Sequence, residues 1–131
     1  MKEIEVVAAI IQHQNKILCC QRRENKLQYL SEKWEFPGGK LEVGESREAG
    51  LLREIKEELN IEINSPKFAV TVQHNYPDFK LIMHCFTVNS DDQKLELNAH
   101  KDAAWLSKND LTNLDWAEAD LPVVSFLTEE S

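Results

Sequence analysis

The apolar positions of this chain fall into short blocks separated by turn residues. Ile4 to Ile11, reading IEVVAAII, is rich in β-branched side chains, and after the polar QHQNK comes Ile17 to Gln21, ILCCQ. Unbroken apolar runs of this length predict strands buried on both faces, here paired as a hairpin. A basic and polar loop is expected from Arg22 to Lys33, and then WEFPGGK reads as a short strand stopped by Pro37, Gly38 and Gly39. Glycines at such a point allow close ligand approach. From Ser46 the period changes to that of a helix: Ala49, Leu52, Ile55 and Leu59 recur on one side, Ser46 suits an N-cap, and Glu48 lies in the first turn. The predicted helix runs from about Ser46 to Leu59. Downstream, KFAVTVQHN and KLIMHCFTV flank YPDF as a second hairpin, and AAWLS offers a further strand. The tail ADLPVVSFLTEE places Pro122 where a first helical turn tolerates it. The pattern predicts a single α+β domain over 1–131, a mixed layered fold with four to six strands and two helices.

Composition narrows the function. With 15 Lys and Arg against 23 Asp and Glu, the net charge of −8 disfavours a nucleic-acid partner. No apolar stretch is long enough for a membrane span. Cys19, Cys20 and Cys85 show no metal or disulfide spacing, so they are expected as buried thiols of a reduced, cytoplasmic protein.

The charge that demands an explanation is local. On the helix, Glu54, Glu57 and Glu58 share the arc opposite the apolar positions. As a solvated face they cost only about 0.2–0.5 kcal/mol per like-charged pair. Lining a cleft, they would repel strongly unless a cation intervened. Hard oxygen donors without His or Cys suit Mg²⁺ or Mn²⁺, and such ions bound with phosphate oxygens point to phosphoryl chemistry.

These residues resemble the box of the Nudix hydrolase family: Gly, five residues, Glu, seven residues, then Arg-Glu-U-x-Glu-Glu-x-Gly-U, with U aliphatic. Gly39, Glu45, Arg53, Glu54, Ile55, Glu57, Glu58 and Ile61 are in register, eight of nine defined positions, and Asn60 replaces the last Gly. Asn also tolerates a left-handed helix C-cap. VVAAII, Arg22 and Arg23, WEFPGGK and the C-terminal helix are similar to the MutT and CTP pyrophosphohydrolase branch. The resemblance implies the Nudix α/β/α sandwich with a mixed sheet and a nucleoside triphosphate pyrophosphohydrolase needing Mg²⁺, with Mn²⁺ possible. Its substrates would be small nucleotides, cytidine or oxidised purine nucleotides such as 8-oxo-dGTP among them, and the protein a monomer or homodimer. It further implies that Glu54, Glu57 and Glu58 bind metal with a backbone carbonyl from Gly38 or Gly39. Arg53 and Glu45 would join helix and loop by an ion pair, and Glu54, Glu57, Arg53 and Glu45 would be the catalytic group. Arg22, Arg23, Lys40 and Asp120 would contact substrate, Asp120 at the base edge or else as a plain N-cap. Alternatives are a Nudix enzyme cleaving ADP-ribose, NADH or dinucleoside polyphosphates, and a non-catalytic nucleotide-binding Nudix domain.

Relatives often carry another acid just before a His, where this chain has Ala99-His100. Either Glu96 or Asp102 substitutes, or the helix supplies every acid. His100 is expected in an exposed loop, with assistance to catalysis as its other reading. Tyr29, Trp34, Phe36 and Phe79 are expected mainly as core, and Pro77 as a turn former. Gly50, inside the helix, has no account from the sequence, since Gly there costs about 1 kcal/mol relative to Ala.

Overall fold

The computed structural model describes residues 2–91 and 94–129. Seven strands form one sheet: β1 Glu3–His13, β2 Lys16–Arg22, β3 Trp34–Glu35, β4 Gly38–Lys40, β5 Asn64–Asn75, β6 Lys80–Asn89 and β7 His100–Leu106. That is one more than the upper expectation, because WEFPGGK contributes two short strands instead of one. Helix α1 spans Arg47–Leu59 and α2 spans Leu121–Glu129, with 3₁₀ segments at Lys108–Asn113 and Glu118–Asp120 that the periodicity did not announce. Glu130, the last residue of the expected tail helix, lies outside the described residues.

β1 is the spine. It runs parallel to β6 from Glu3 opposite Lys80 to Gln12 opposite Asn89, and β6 pairs antiparallel with the edge strand β5 around the turn at Pro77. The first hairpin is far shorter than its apolar runs suggest. β1 meets β2 only at Gln12–Ile17 and His13–Lys16, after which the strands part and β2 pairs with β7. The segment Trp34–Lys40 crosses the gap: Trp34 and Glu35 pair with β2, Pro37 accepts a hydrogen bond from Ala9 N–H at 2.8 Å, and Gly38–Lys40 pair with β1. A Cβ at Gly38 would stand 1.9 Å from the Val7 carbonyl oxygen, so this crossing requires glycine.

Both sheet faces are covered, which is why β1 and β2 read as unbroken apolar runs. Val7, Ala9, Ile11, Leu18 and Cys20 pack with Leu51, Ile55 and Leu59 of α1, while Ala8, Ile10, Ile17 and Cys19 pack with Val123, Val124 and Leu127 of α2. The buried stripe of α1 is Gly50, Leu51, Ile55 and Leu59, a correction to the expected one: Ala49 and Leu52 face outward. The caps are as expected. Ser46 Oγ accepts from Ala49 N–H at 3.1 Å, and Asn60 adopts the left-handed conformation, φ 53° and ψ 40°. The three cysteines are buried. Among the described residues no helix is long and apolar enough to cross a membrane.

Candidate active site

The parting of β1 from β2 opens a cavity of about 460 Å³. Arg22 and Arg23 come from the end of β2, Gly38, Gly39 and Lys40 from β4, Glu58 from α1, and Asp120 from the segment before α2. Seven of the residues proposed from sequence therefore meet at one place, although they derive from four separate stretches. Glu35, Phe36 and His100 line it as well.

The helix acids divide into two environments. Arg53 gathers one set: Nε donates to Glu45 Oε2 at 2.7 Å and Nη2 to Glu45 Oε1 at 2.9 Å, while Nη1 reaches Glu54 at 3.0 Å and Glu57 at 3.2 Å. Nη2 also donates to the Lys40 carbonyl at 3.1 Å, which ties the helix to the end of β4. The bidentate bond from Arg53 draws the Glu45 carboxyl down to about 2, helped by the backbone near Glu42. Arg53 itself is held still more firmly protonated.

Glu58 belongs to the other set. Burial, then the charges of Glu35 and Glu54, push its carboxyl up to about 8 against a hydrogen bond from the Gly38 backbone. Its Oε1 is buried without a partner. Asp120, 4% exposed, accepts from Phe36 N–H at 3.0 Å. Burial and then Glu35 raise its carboxyl well above the usual range, with Arg22 opposing. Bonded to Phe36 rather than to a helix N–H, Asp120 is not a simple cap.

Gly39 and Gly50 acquire reasons here. A Cβ on Gly39 would lie 2.3 Å from Glu54 Oε2, so the strand end and the helix acid occupy adjoining space. A Cβ on Gly50 would lie 2.5 Å from Leu41 Cδ2 and 2.9 Å from Glu45 Oε1, the atom that Arg53 grips. The helix carries glycine where the loop crosses it.

His100 corrects the sequence reading. It opens β7, is 4% exposed, and its Nε2 donates to Glu35 Oε2 at 2.9 Å; Nδ1 has no partner. Glu35 Oε1 in turn accepts from Arg22 Nη1 at 2.9 Å. Neither Glu96 nor Asp102 lines the cavity, and both are exposed. Glu35 was missed from sequence because it stands outside the helix pattern. The available signal was a charged residue wedged between the aromatics Trp34 and Phe36. Those aromatics pack as expected: Phe36 stacks on Trp116 at 4.8 Å, and Trp34 bridges to Trp116. Tyr29 stacks on Tyr76 at 5.0 Å, and Phe79 lies against Tyr76 while also lining the cavity. Arg23 is exposed, reaching the Leu97 carbonyl at 3.5 Å.

Among the described residues no three His, Cys, Asp or Glu side chains gather as a ready metal cage. The reason is visible: Arg53 holds Glu54 and Glu57, while Glu58 turns toward Gly38. In kind, the donors still fit a hard divalent ion. They are carboxylate and backbone oxygens, one of them buried and unsatisfied.

Comparison with known proteins bears on this arrangement. Residues 6–125 match the family model described as NUDIX domain. The CTP pyrophosphohydrolase of Escherichia coli (strain K12) is 36% identical over 124 residues, spanning 95% of this chain and 90% of that protein. The 8-oxo-dGTP diphosphatase of Proteus vulgaris is 35% identical over 101 residues, 76% of this chain and 87% of that protein. The solution structure of the E. coli ORF135 protein has a TM-score of 0.81 at 32% identity, covering 98% of this chain and 91% of its own.

Proposed function

Because the chain belongs to the NUDIX domain family and is a hydrolase of phosphorus-containing anhydrides, we propose that it cleaves nucleoside triphosphates, cytidine or oxidised purine nucleotides among them, to the monophosphate and pyrophosphate. Its cellular role is sanitation of the nucleotide pool. Mg²⁺ is the proposed cofactor, with Mn²⁺ as a substitute, held by Glu54, Glu57, Glu58 and a carbonyl of Gly38 or Gly39. When bound, such an ion polarises phosphoryl oxygens and offsets charge on the leaving pyrophosphate. A cytoplasmic monomer or homodimer completes the reading.

The observation that carries it is Glu58, an acid with a buried unpartnered oxygen, on the same cavity as Gly38, Gly39, Lys40, Arg22 and Asp120. The Arg22 guanidinium and Lys40 ammonium bring positive charge to phosphate oxygens, and the Arg53–Glu45 pair fixes the helix to the loop so that its acids keep their places. In the reaction a water oxygen bonds to an internal phosphorus while the bond from that phosphorus to the bridging oxygen breaks. The water's protons pass to a carboxylate and to solvent. The Asp120 carboxyl either accepts from an exocyclic amine of the base or, protonated, donates to a ring acceptor.

The test is purified protein offered ordinary and oxidised triphosphates with Mg²⁺ and with Mn²⁺, identifying products. Pyrophosphate with monophosphate is expected. Orthophosphate as the sole product, or no turnover with either ion, would overturn the reading.

A further inference from the structure

The final turn of α1 carries Glu57 and Glu58, two of the acids proposed as metal ligands, and it is the turn least able to hold itself. A helix leaves its last carbonyls without helical partners, and its negative end disfavours carboxylates. Asn60 N–H satisfies the Lys56 carbonyl at 3.0 Å, after which the helix has no donor left to give. The carbonyls that follow are met from a distant segment. Asn98 Nδ2 donates to the Glu57 carbonyl and Asn98 N–H to the Glu58 carbonyl, each at 3.0 Å, while Glu96 N–H donates to the Leu59 carbonyl at 3.0 Å. Asn98 therefore supplies two of these three bonds, both to the metal acids.

The segment then leads straight into the cavity wall. Ala99 and His100, the residues after Asn98, line the cavity, and Arg23 Nη2 reaches the Leu97 carbonyl at 3.5 Å. A peptide carbonyl and the side chain of the same residue share one Cα, so fixing the main chain of Glu57 and Glu58 fixes the origin of both carboxylates. Ligands of one ion must keep their places to within about 0.5 Å. The donor type fits the place as well. Lysine or arginine commonly satisfies a helix C-terminus, but either would bring a positive charge beside the ion; an amide donates without one. We propose that Asn98 is a positioning residue for the metal site, which holds the main chain of Glu57 and Glu58 so that their carboxylates can share a hard divalent ion. It touches neither ion nor substrate. This inference rests on the assignment of those glutamates to Mg²⁺ made above.

A plain helix cap acts on stability alone, whereas a positioning residue acts on ion affinity, and the experiment reads the two separately. Mn²⁺ binding is measured by electron paramagnetic resonance, with and without a nonhydrolysable triphosphate, on wild type, Asn98→Ala and Ser46→Ala; melting temperatures are taken without metal. Asn98→Ala keeps its backbone N–H and loses only the bond to the Glu57 carbonyl. It is expected to weaken Mn²⁺ by about 3- to 10-fold, the scale of one neutral hydrogen bond. The Mg²⁺ concentration for half-maximal turnover should rise by the same factor, with kcat at saturating Mg²⁺ changed by less than about twofold. Ser46→Ala removes a cap bond of the same kind at the opposite end of the helix, and should lower the melting temperature at least as much with Mn²⁺ affinity unchanged. Wild-type affinity in Asn98→Ala, or an equal loss in Ser46→Ala, would overturn the proposal while leaving the metal assignment intact. A wild-type protein that takes up no Mn²⁺ under either condition would remove both.

Discussion

Two groups of carboxylates, hardly a helical turn apart, live under opposite conditions. Glu45, Glu54 and Glu57 share one guanidinium, and the Glu45 carboxyl sits far below its ordinary value. Glu35, Glu58 and Asp120 face the cavity, where Arg22 is the guanidinium among them, and the carboxyls of Glu58 and Asp120 are driven upward. Glutamates only one and four residues apart on α1 thus have different surroundings. Without metal the first group is held by Arg53, whose bonds to Glu45 join helix to loop. In the second, Glu35 and Asp120 have partners, while Glu58 keeps a buried oxygen without one.

Removing Glu58 breaks the comparison most sharply. Glu58→Gln is expected to lower kcat by roughly 100-fold or more while raising stability at neutral pH by about 1–3 kcal/mol, because the fold no longer has to take up a proton or bury a charge there. Steady-state kinetics and thermal melts on the same sample check both signs; unchanged turnover would count against Glu58 as a metal ligand. Arg53→Ala should do the reverse to the neighbouring set, leaving three carboxylates without their cation and destabilising by roughly 2–3 kcal/mol. Urea titration measures it. Arg53→Lys should recover little, since a single ammonium cannot reproduce the two parallel bonds to Glu45.

The pH dependence of stability separates the groups without mutation. Glu45, shifted from an ordinary 4.5 to about 2 in the fold, binds fewer protons folded than unfolded, so stability rises as pH climbs between those values. Glu58, shifted from 4.5 to about 8, binds more protons folded, so stability declines from about pH 4.5 to 8, and Asp120 adds to the decline. Metal-free protein should therefore melt highest on the acid side of neutrality, and millimolar Mg²⁺ should flatten the alkaline limb. A melting temperature that rises steadily from pH 5 to 8 without metal would contradict the assignment. The smallest effect belongs to Gly50→Ala: the helix gains about 1 kcal/mol of propensity, but a methyl 2.9 Å from Glu45 Oε1 costs more, for a net loss of about 1 kcal/mol. A stabilised, fully active variant would show that the loop yields.

Much of this was legible in the chain because local rules agree with the fold there. Ser46, Asn60 and the box residues sit on one continuous helix whose caps are short-range, and WEFPGGK breaks where its proline and glycines stand. Of the expected buried stripe Ile55 and Leu59 hold, whereas Ala49 and Leu52 do not: Leu51 and Leu52 are equally apolar, and packing with Val7 and Ile11 selects Leu51. The hairpin between β1 and β2 was overextended because apolar runs do not reveal which neighbour a strand takes. His100 and Glu35 lie 65 residues apart in sequence, so nothing local marks their union. Pairings across that separation exist only once β2 has gathered β3 and β7 to its two edges.

The early divergence of β1 and β2 has a consequence for how such a protein can change its diet. Its doorway is framed by main-chain bonds, β1 surrendering one edge to Gly38–Lys40 where it leaves β2. Side chains merely furnish the room behind. Relining the walls at Phe36, Tyr76, Phe79 or Asp120 can thus retune what is admitted without redrawing the frame, so new tastes are open to point substitution while the glycine threshold stays fixed.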